Sequence, residues 1–233
     1  APLECGTPAL YCPPNSTEAV SVRDGYYSLP EDETRTKTRS DQAECPTGHK
    51  CIGGKRYNCS NEEYADEPGS TACTTCSTCS PGHMIVPGKD CSTTRDRECQ
   101  QCEEGTYSDV QNAEMCEDCP LGSHCRNGNR EPCEAGKYAD MTKLSACKTC
   151  EAATFTNETG SATCRGCPAG YFCPEGAQAP LECGTPALYC PPNSTEAISV
   201  SDGYYSLPED KTRAKTRSDQ AECPTGHKCV GGV

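Results

Sequence analysis

Twenty-four of the 233 residues are cysteine. At that density cysteine can ligate zinc as thiolate, exchange electrons as a C-x-x-C dithiol, or cross-link the chain as disulfide. Spacing separates these chemistries. Thirteen residues separate Cys59/Cys73, Cys102/Cys116, Cys133/Cys147 and Cys150/Cys164. Each has an aromatic residue five positions after its first cysteine: Tyr64, Tyr107, Tyr138 and Phe155. A second unit, C-P-x-G-x-x-C, runs from Cys45 to Cys51, Cys119 to Cys125, Cys167 to Cys173 and Cys223 to Cys229. Its Pro and Gly read as a tight turn between cysteines. C-x-x-C steps, among them Cys99/Cys102 and Cys147/Cys150, would suit a zinc ribbon. The thirteen-residue gaps repeat without interruption, however, and no βαβ context surrounds a C-x-x-C step to make it a redox site. Disulfides are the reading, with no metal and no cofactor.

Other reactive side chains offer little. His49, His124 and His227 sit just before the closing cysteine of C-P-x-G-x-x-C units, and His83 lies in a Pro-Gly turn. The acid pairs Glu31-Asp32 and Glu103-Glu104 lie in polar loops with no apolar pocket to raise a carboxyl pKa. Glu31-Asp32-Glu33 and Asp66-Glu67 could offer oxygen ligands to Ca2+, without an EF-hand loop. No catalytic constellation is present, and the chain reads as no enzyme.

The elements that hold these cysteines must be small. Hydrophobic residues make up 33% of the chain, cysteine included, with no Trp, two Phe and three Met. Such a composition cannot build one large core, which excludes a Rossmann enzyme, a barrel, a helical bundle and a membrane span. No apolar run exceeds a few residues, so neither a transmembrane helix nor a signal-peptide core is expected. The first residue is Ala1, so either a leader has been removed or the chain is an excerpt. The net charge of −13 disfavours nucleic acid and favours cationic partners. No helical period is sustained, and 25–29 and 34–39 are the best strand candidates. In the second of these, Arg35, Lys37 and Arg39 alternate, as do Arg213, Lys215 and Arg217 later. On a strand they share one face, either as a guard against edge pairing or as a lateral contact with acidic loops of another copy.

The chain also repeats. Residues 1–54 return as 179–232 with 49 of 54 identical. One 178-residue period holds 20 cysteines, an even number that can close internally. The expected fold class is therefore small, disulfide-rich and mostly irregular, with short β-hairpins and little or no helix, in an elongated tandem array where each module touches its neighbours.

From Cys59 to Cys99 the pattern is C-x13-C-x2-C-x2-C-x11-C-x7-C, ending in CSTTRDREC. This resembles a cysteine-rich domain of the tumour necrosis factor receptor family. The resemblance implies the pairs Cys59–Cys73, Cys76–Cys91 and Cys79–Cys99. The flanks, such as CEEGTYSD at 102–109 and CPAGYFCPEG at 167–176, resemble ephrin-receptor-like (GCC2/GCC3) repeats of large secreted and surface proteins, many from protists. By analogy with 59–73, Cys102–Cys116, Cys133–Cys147 and Cys150–Cys164 pair. Cys119–Cys125 and Cys167–Cys173 follow by elimination. Cys5, Cys12, Cys45 and Cys51 leave three connectivities open.

The modules expected are a lead segment 1–58, a receptor-like module 59–101, an ephrin-receptor-like module 102–132, further such modules over 133–178, and 179–233 as the start of the next period. Asn15, Asn58, Asn157 and Asn193 begin N-x-[ST] acceptors, which together with the cysteines place the chain outside the cell or on its surface, carrying N-linked glycans. Near-identical copies suit a non-enzymatic structural repeat. Such a chain would assemble with further copies of itself into an extracellular fibre, flagellar hair (mastigoneme) or coat. The alternative is a receptor or adhesion ectodomain stalk that binds a protein or glycan ligand. No direct membrane insertion is expected of this segment.

Overall fold

The computed structural model describes residues 3–31, 38–209 and 215–233. Among them there is no helix. The regular structure is two-stranded antiparallel sheets, each strand two to four residues long. The chain divides into two compact units, Ala1–Gln100 with Val110–Met115, and Gln101–Asp109 with Cys116–Val233.

One local device recurs in both units. Three residues after a module's first cysteine the backbone turns left-handed, at Glu62 (φ 63°), Gly105 (81°), Gly122 (76°), Gly136 (80°) and Ala153 (72°). The next N–H closes a turn onto the carbonyl two residues before the left-handed position, as in Thr106 to Glu103 O and Lys137 to Glu134 O, both at 3.0 Å. This is a type II turn, which requires φ > 0 at its third position. It launches a two-residue strand that carries the aromatic: Thr106–Tyr107 pairs with Glu117–Asp118, and Thr154–Phe155 with Arg165–Gly166. The left-handed carbonyl then accepts the N–H of the cysteine opening the next module, Cys119 from Gly105 O and Cys133 from Gly122 O at 2.9 Å each.

Modules interlock through a second set of backbone bonds. In the second unit the first-cysteine carbonyl of one module accepts an N–H from a left-handed residue further along: Lys143 to Cys119 O, Gly160 to Cys133 O, Gly176 to Cys150 O and Asn193 to Cys167 O, at 2.7–3.0 Å. Gly69 to Cys45 O and Asn112 to Cys79 O repeat this in the first unit. The approach is close. A Cβ on Gly122 would stand 2.0 Å from Gly160 O.

The core is mostly sulfur. Among the described residues fifteen cysteines are buried, joined by Ala65, Ile85, Tyr107, Ala113, Ala139 and Ala177. Tyr107 packs on the Cys119 and Cys125 side chains, and Phe155 and Tyr171 on Cys167 and Cys173. All twenty-four cysteines are paired. The pairs named above are joined: Cys59–Cys73, Cys76–Cys91, Cys79–Cys99, Cys102–Cys116, Cys119–Cys125, Cys133–Cys147, Cys150–Cys164 and Cys167–Cys173. Of the open connectivities, the structure has Cys5–Cys12 and Cys45–Cys51, with Cys183–Cys190 and Cys223–Cys229 as their copies.

The lead segment differs from expectation at its arginines. Tyr26–Leu29 is a strand, paired with Asp41–Glu44; of the candidate strand 34–39, residues 34–37 lie outside the described residues. Arg39 lies outside any strand and is 7% exposed; its Nη1 donates to Ser28 O and Pro30 O at 2.7 Å. Arg217 is 5% exposed and donates likewise to Ser206 O. Two arginines read as a surface contact are thus internal clamps on a bend, because a guanidinium can satisfy several converging carbonyls at once. Lys215 is exposed, 3.8 Å from Glu182. Arg35, Lys37 and Arg213 lie outside the described residues.

Candidate ligand-binding module

The segment with the densest polar organisation is 59–99, held by three disulfides. The loop between Val86 and Glu98 is folded against itself. Val86 N–H donates to Glu98 O, Glu98 N–H to Lys89 O, and Ser92 and Arg95 exchange two backbone bonds at 3.1 Å. Beneath it lies Arg97, its side chain 3% exposed. Nε donates to Asp90 Oδ1 at 2.8 Å, Nη1 to Ser77 O at 2.8 Å, and Nη2 to both Glu62 carboxylate oxygens at 2.8 and 3.0 Å. One guanidinium therefore ties three segments of the module together, as only a planar fork of donors can. The Asp90 carboxylate beside it raises the Arg97 pKa, and Arg97 in turn holds Asp90 below the usual carboxylate range.

Asp96 fastens the other side. Its carboxylate accepts from the Ser77 N–H and Ser77 Oγ, both at 2.6 Å, and from the Arg97 N–H at 2.7 Å. The Ser77 hydroxyl is the main cause that lowers its pKa. A depressed folded pKa means the stabilisation is full above the unfolded value and is lost as pH falls through the folded one. Protection of the Ser77 amide against hydrogen exchange should therefore fall as pH drops below about 4. Asp96→Asn should start with lower protection and show no such step.

Beside the loop a cleft of about 280 Å³ is lined by Ser60, Glu62, Glu63, Cys91 and Thr93. Ser60 lowers the Glu63 pKa through its hydroxyl and backbone N–H, which keeps that carboxylate ionised. The loop exposes Lys89, Asp90 and Glu98. A preorganised loop over an acidic cleft can receive a basic side chain of a partner. Arg97 and Glu62 were not singled out from the sequence, although Arg97 lies inside CSTTRDREC. The alternating RDR was the available signal.

The other sequence candidates are scattered. Asn15, Asn58, Asn157 and Asn193 are exposed. Asp66 and Glu67 are exposed, Glu31 pairs with Arg56 at 2.7 Å, and Asp32 and Glu33 lie outside the described residues. His49 Nδ1 faces Thr47 O at 2.9 Å, His227 faces Thr225 O, and His83 faces Ser80 and Pro81. Only His124, Cys133 and Cys147 gather as a possible ligand set among the described residues, with donor atoms within 4.8 Å. Their two sulfurs are bonded to each other. No described helix is long and apolar enough to cross a membrane.

These features define a class: tandem, disulfide-stapled, cysteine-rich modules. Among known proteins, the chain is 35% identical over 78 residues to mouse "Tumor necrosis factor receptor superfamily member 4", covering 34% of this chain and 26% of that protein. It is 35% identical over 74 residues to the rat protein of the same name, covering 32% and 24%. The chain thus spans about a quarter of the length of these relatives. No family model matches. The disulfides and this similarity indicate an extracellular or cell-surface domain.

Proposed function

We propose that the chain is part of a receptor-type or adhesion ectodomain, and that module 59–101 binds an extracellular protein ligand through the acidic cleft and the loop above it. Binding, not catalysis, is its task. The observation that carries this reading is the Arg97 clamp, which fixes an exposed, charged loop within the stretch whose cysteine spacing matches the receptor family. Similarity to receptors of that superfamily supports it. The remaining modules, read as ephrin-receptor-like over 102–178, would act as a stalk bearing N-linked glycans.

A second reading keeps the repeat in view. The near-identity of 1–54 with 179–232 favours a fibre, coat or flagellar hair in which each copy makes the same contact, with Ca2+ at acidic loops as a further partner. Sedimentation and cell binding separate the two. The disulfide-intact chain should sediment as a monomer over a wide concentration range and bind source cells saturably. Glu62→Lys should weaken that binding by about tenfold. Concentration-dependent polymers, with cell binding unchanged by Glu62→Lys, would reject the receptor reading in favour of the fibre.

A further inference from the structure

A second cleft, of about 480 Å³, opens in the second unit between the strands Ser123–Arg126 and Asn129–Pro132 and the loop that ends at Cys147. On its wall His124 Nδ1 lies 3.3 Å from Cys147 Sγ. His124 Nε2 lies 3.7 Å from Glu131 Oε2, and the two residues are directly opposed across the hairpin. The ring nitrogen and both sulfurs of Cys133–Cys147 lie within 4.8 Å of one another. A disulfide sulfur has no proton to give, so the contact requires Nδ1–H to donate. Glu131 sits where it can orient the ring from the other side. Cys147 is half-buried and lines the cleft, while Cys133 is fully buried.

The molecule contains its own comparison. Cys59–Cys73 follows the same hairpin at the same spacing, but Lys50 and Tyr57 are the opposed pair there. His49 and His227 stand one position earlier in their units and face turn carbonyls instead. A carboxylate, an imidazole and a disulfide sulfur are therefore aligned at one module and not at its counterpart.

We propose that Cys133–Cys147 is an exchangeable disulfide, opened by a small thiol that enters this cleft, with His124 protonating the leaving sulfur. The incoming thiolate bonds to Cys147 Sγ and the Cys133–Cys147 bond breaks. Its electron pair leaves on Cys133 Sγ, the other sulfur within 4.8 Å of the ring nitrogen, and the Nδ1–H turns from Cys147, now bonded to the incoming sulfur, to protonate it. The ring recovers a proton from solvent, replacing the one the thiol released when it ionised. One thiol and one disulfide become a mixed disulfide at Cys147 and a thiol at Cys133, with no net oxidation. Attack at Cys147 follows from access, since exchange rates depend on which sulfur a thiolate can reach and how well the other leaves.

The test exposes the full, oxidised chain to glutathione, quenches with acid and alkylating agent, and maps each cysteine by mass spectrometry. Glutathione on Cys147 with alkylated Cys133 should appear first, at least about tenfold faster than opening of Cys59–Cys73. His124→Phe, the residue type at the matching position 172, should slow that event by about tenfold and leave the other eleven disulfides as they were. The double change Lys50→His with Tyr57→Glu should speed opening of Cys59–Cys73. That arm stands even if His124→Phe loosens its own module. Uniform opening of all disulfides, opening led by another pair, or a His124→Phe chain that exchanges at the original rate would each overturn the proposal.

Discussion

Gly122→Ala will detach the hairpin of Ser123–Arg126 and Asn129–Pro132 from the modules that follow it. The residue has φ 76°, a backbone conformation disfavoured for alanine, and the added Cβ would meet Gly160 O at 2.0 Å. Neither party can yield cheaply. Gly160 O is backbone, and Gly160 N–H is bonded to Cys133 O at 2.7 Å. Gly122 itself donates to Ala139 O and accepts from Cys133, both at 2.9 Å. The cost should be about 2–4 kcal/mol, from left-handed strain and displaced backbone bonds. Because the disulfides hold the chain together, the loss will be read locally. Amide exchange at Gly160 and Cys133 should rise by about two orders of magnitude. The Tyr204–Leu207 amides, far along the chain, should not change. A matching rise there, or none at Gly160, would contradict the interlock described above.

The second large effect is expected in the receptor-like module. Cys79–Cys99 has a sequence separation of 20 and Cys119–Cys125 one of 6. In the chain-entropy model, closing those loops is worth about 3.3 and about 2.4 kcal/mol. Removing the first pair as Cys79→Ala with Cys99→Ala should therefore cost more than removing the second as Cys119→Ala with Cys125→Ala, by about that difference. Alanine places no buried hydroxyl at Cys79, Cys119 or Cys125, all of them fully buried, so loop closure carries the comparison. Non-reducing chemical denaturation of both double variants measures the gap. If the Cys119/Cys125 variant is the weaker one, loop length does not govern the ranking in this chain.

Much of this architecture is written in the spacing of residues. Cysteines thirteen residues apart, with an aromatic five after the first, announce a repeating loop whose ring needs something to cover, and Tyr107 and Phe155 cover the next module's disulfide. The absence of a helical period was equally readable. What escaped notice depends on neighbours rather than residue type. Glu62 and Ala153 occupy the left-handed turn position that Gly105 and Gly136 fill elsewhere, and no local rule marks a Glu for it. Asp41–Glu44 is too polar to read as a strand and becomes one through backbone pairing with Tyr26–Leu29. Arg39 and Arg97 look like surface cations, since burial of arginine is exceptional. Each is drawn inward where carbonyls or carboxylates converge, and that convergence exists only after the bends and disulfides have formed.

The forward-reaching bonds from a left-handed amide to an earlier cysteine carbonyl have a genetic corollary. Every such bond joins main-chain atoms, so beyond its left-handed donor and a close-packed glycine such as Gly122 it asks little of the side chains. It does require that the spacing between partners be kept. A crossover between equivalent points of two copies preserves that spacing on both products, whereas insertion of a few residues within a loop does not. A gene of this kind can lengthen or shorten by whole periods through unequal exchange and still encode a chain in which every carbonyl finds its donor. Near-identity of the kind seen between 1–54 and 179–232 is what such exchange would leave.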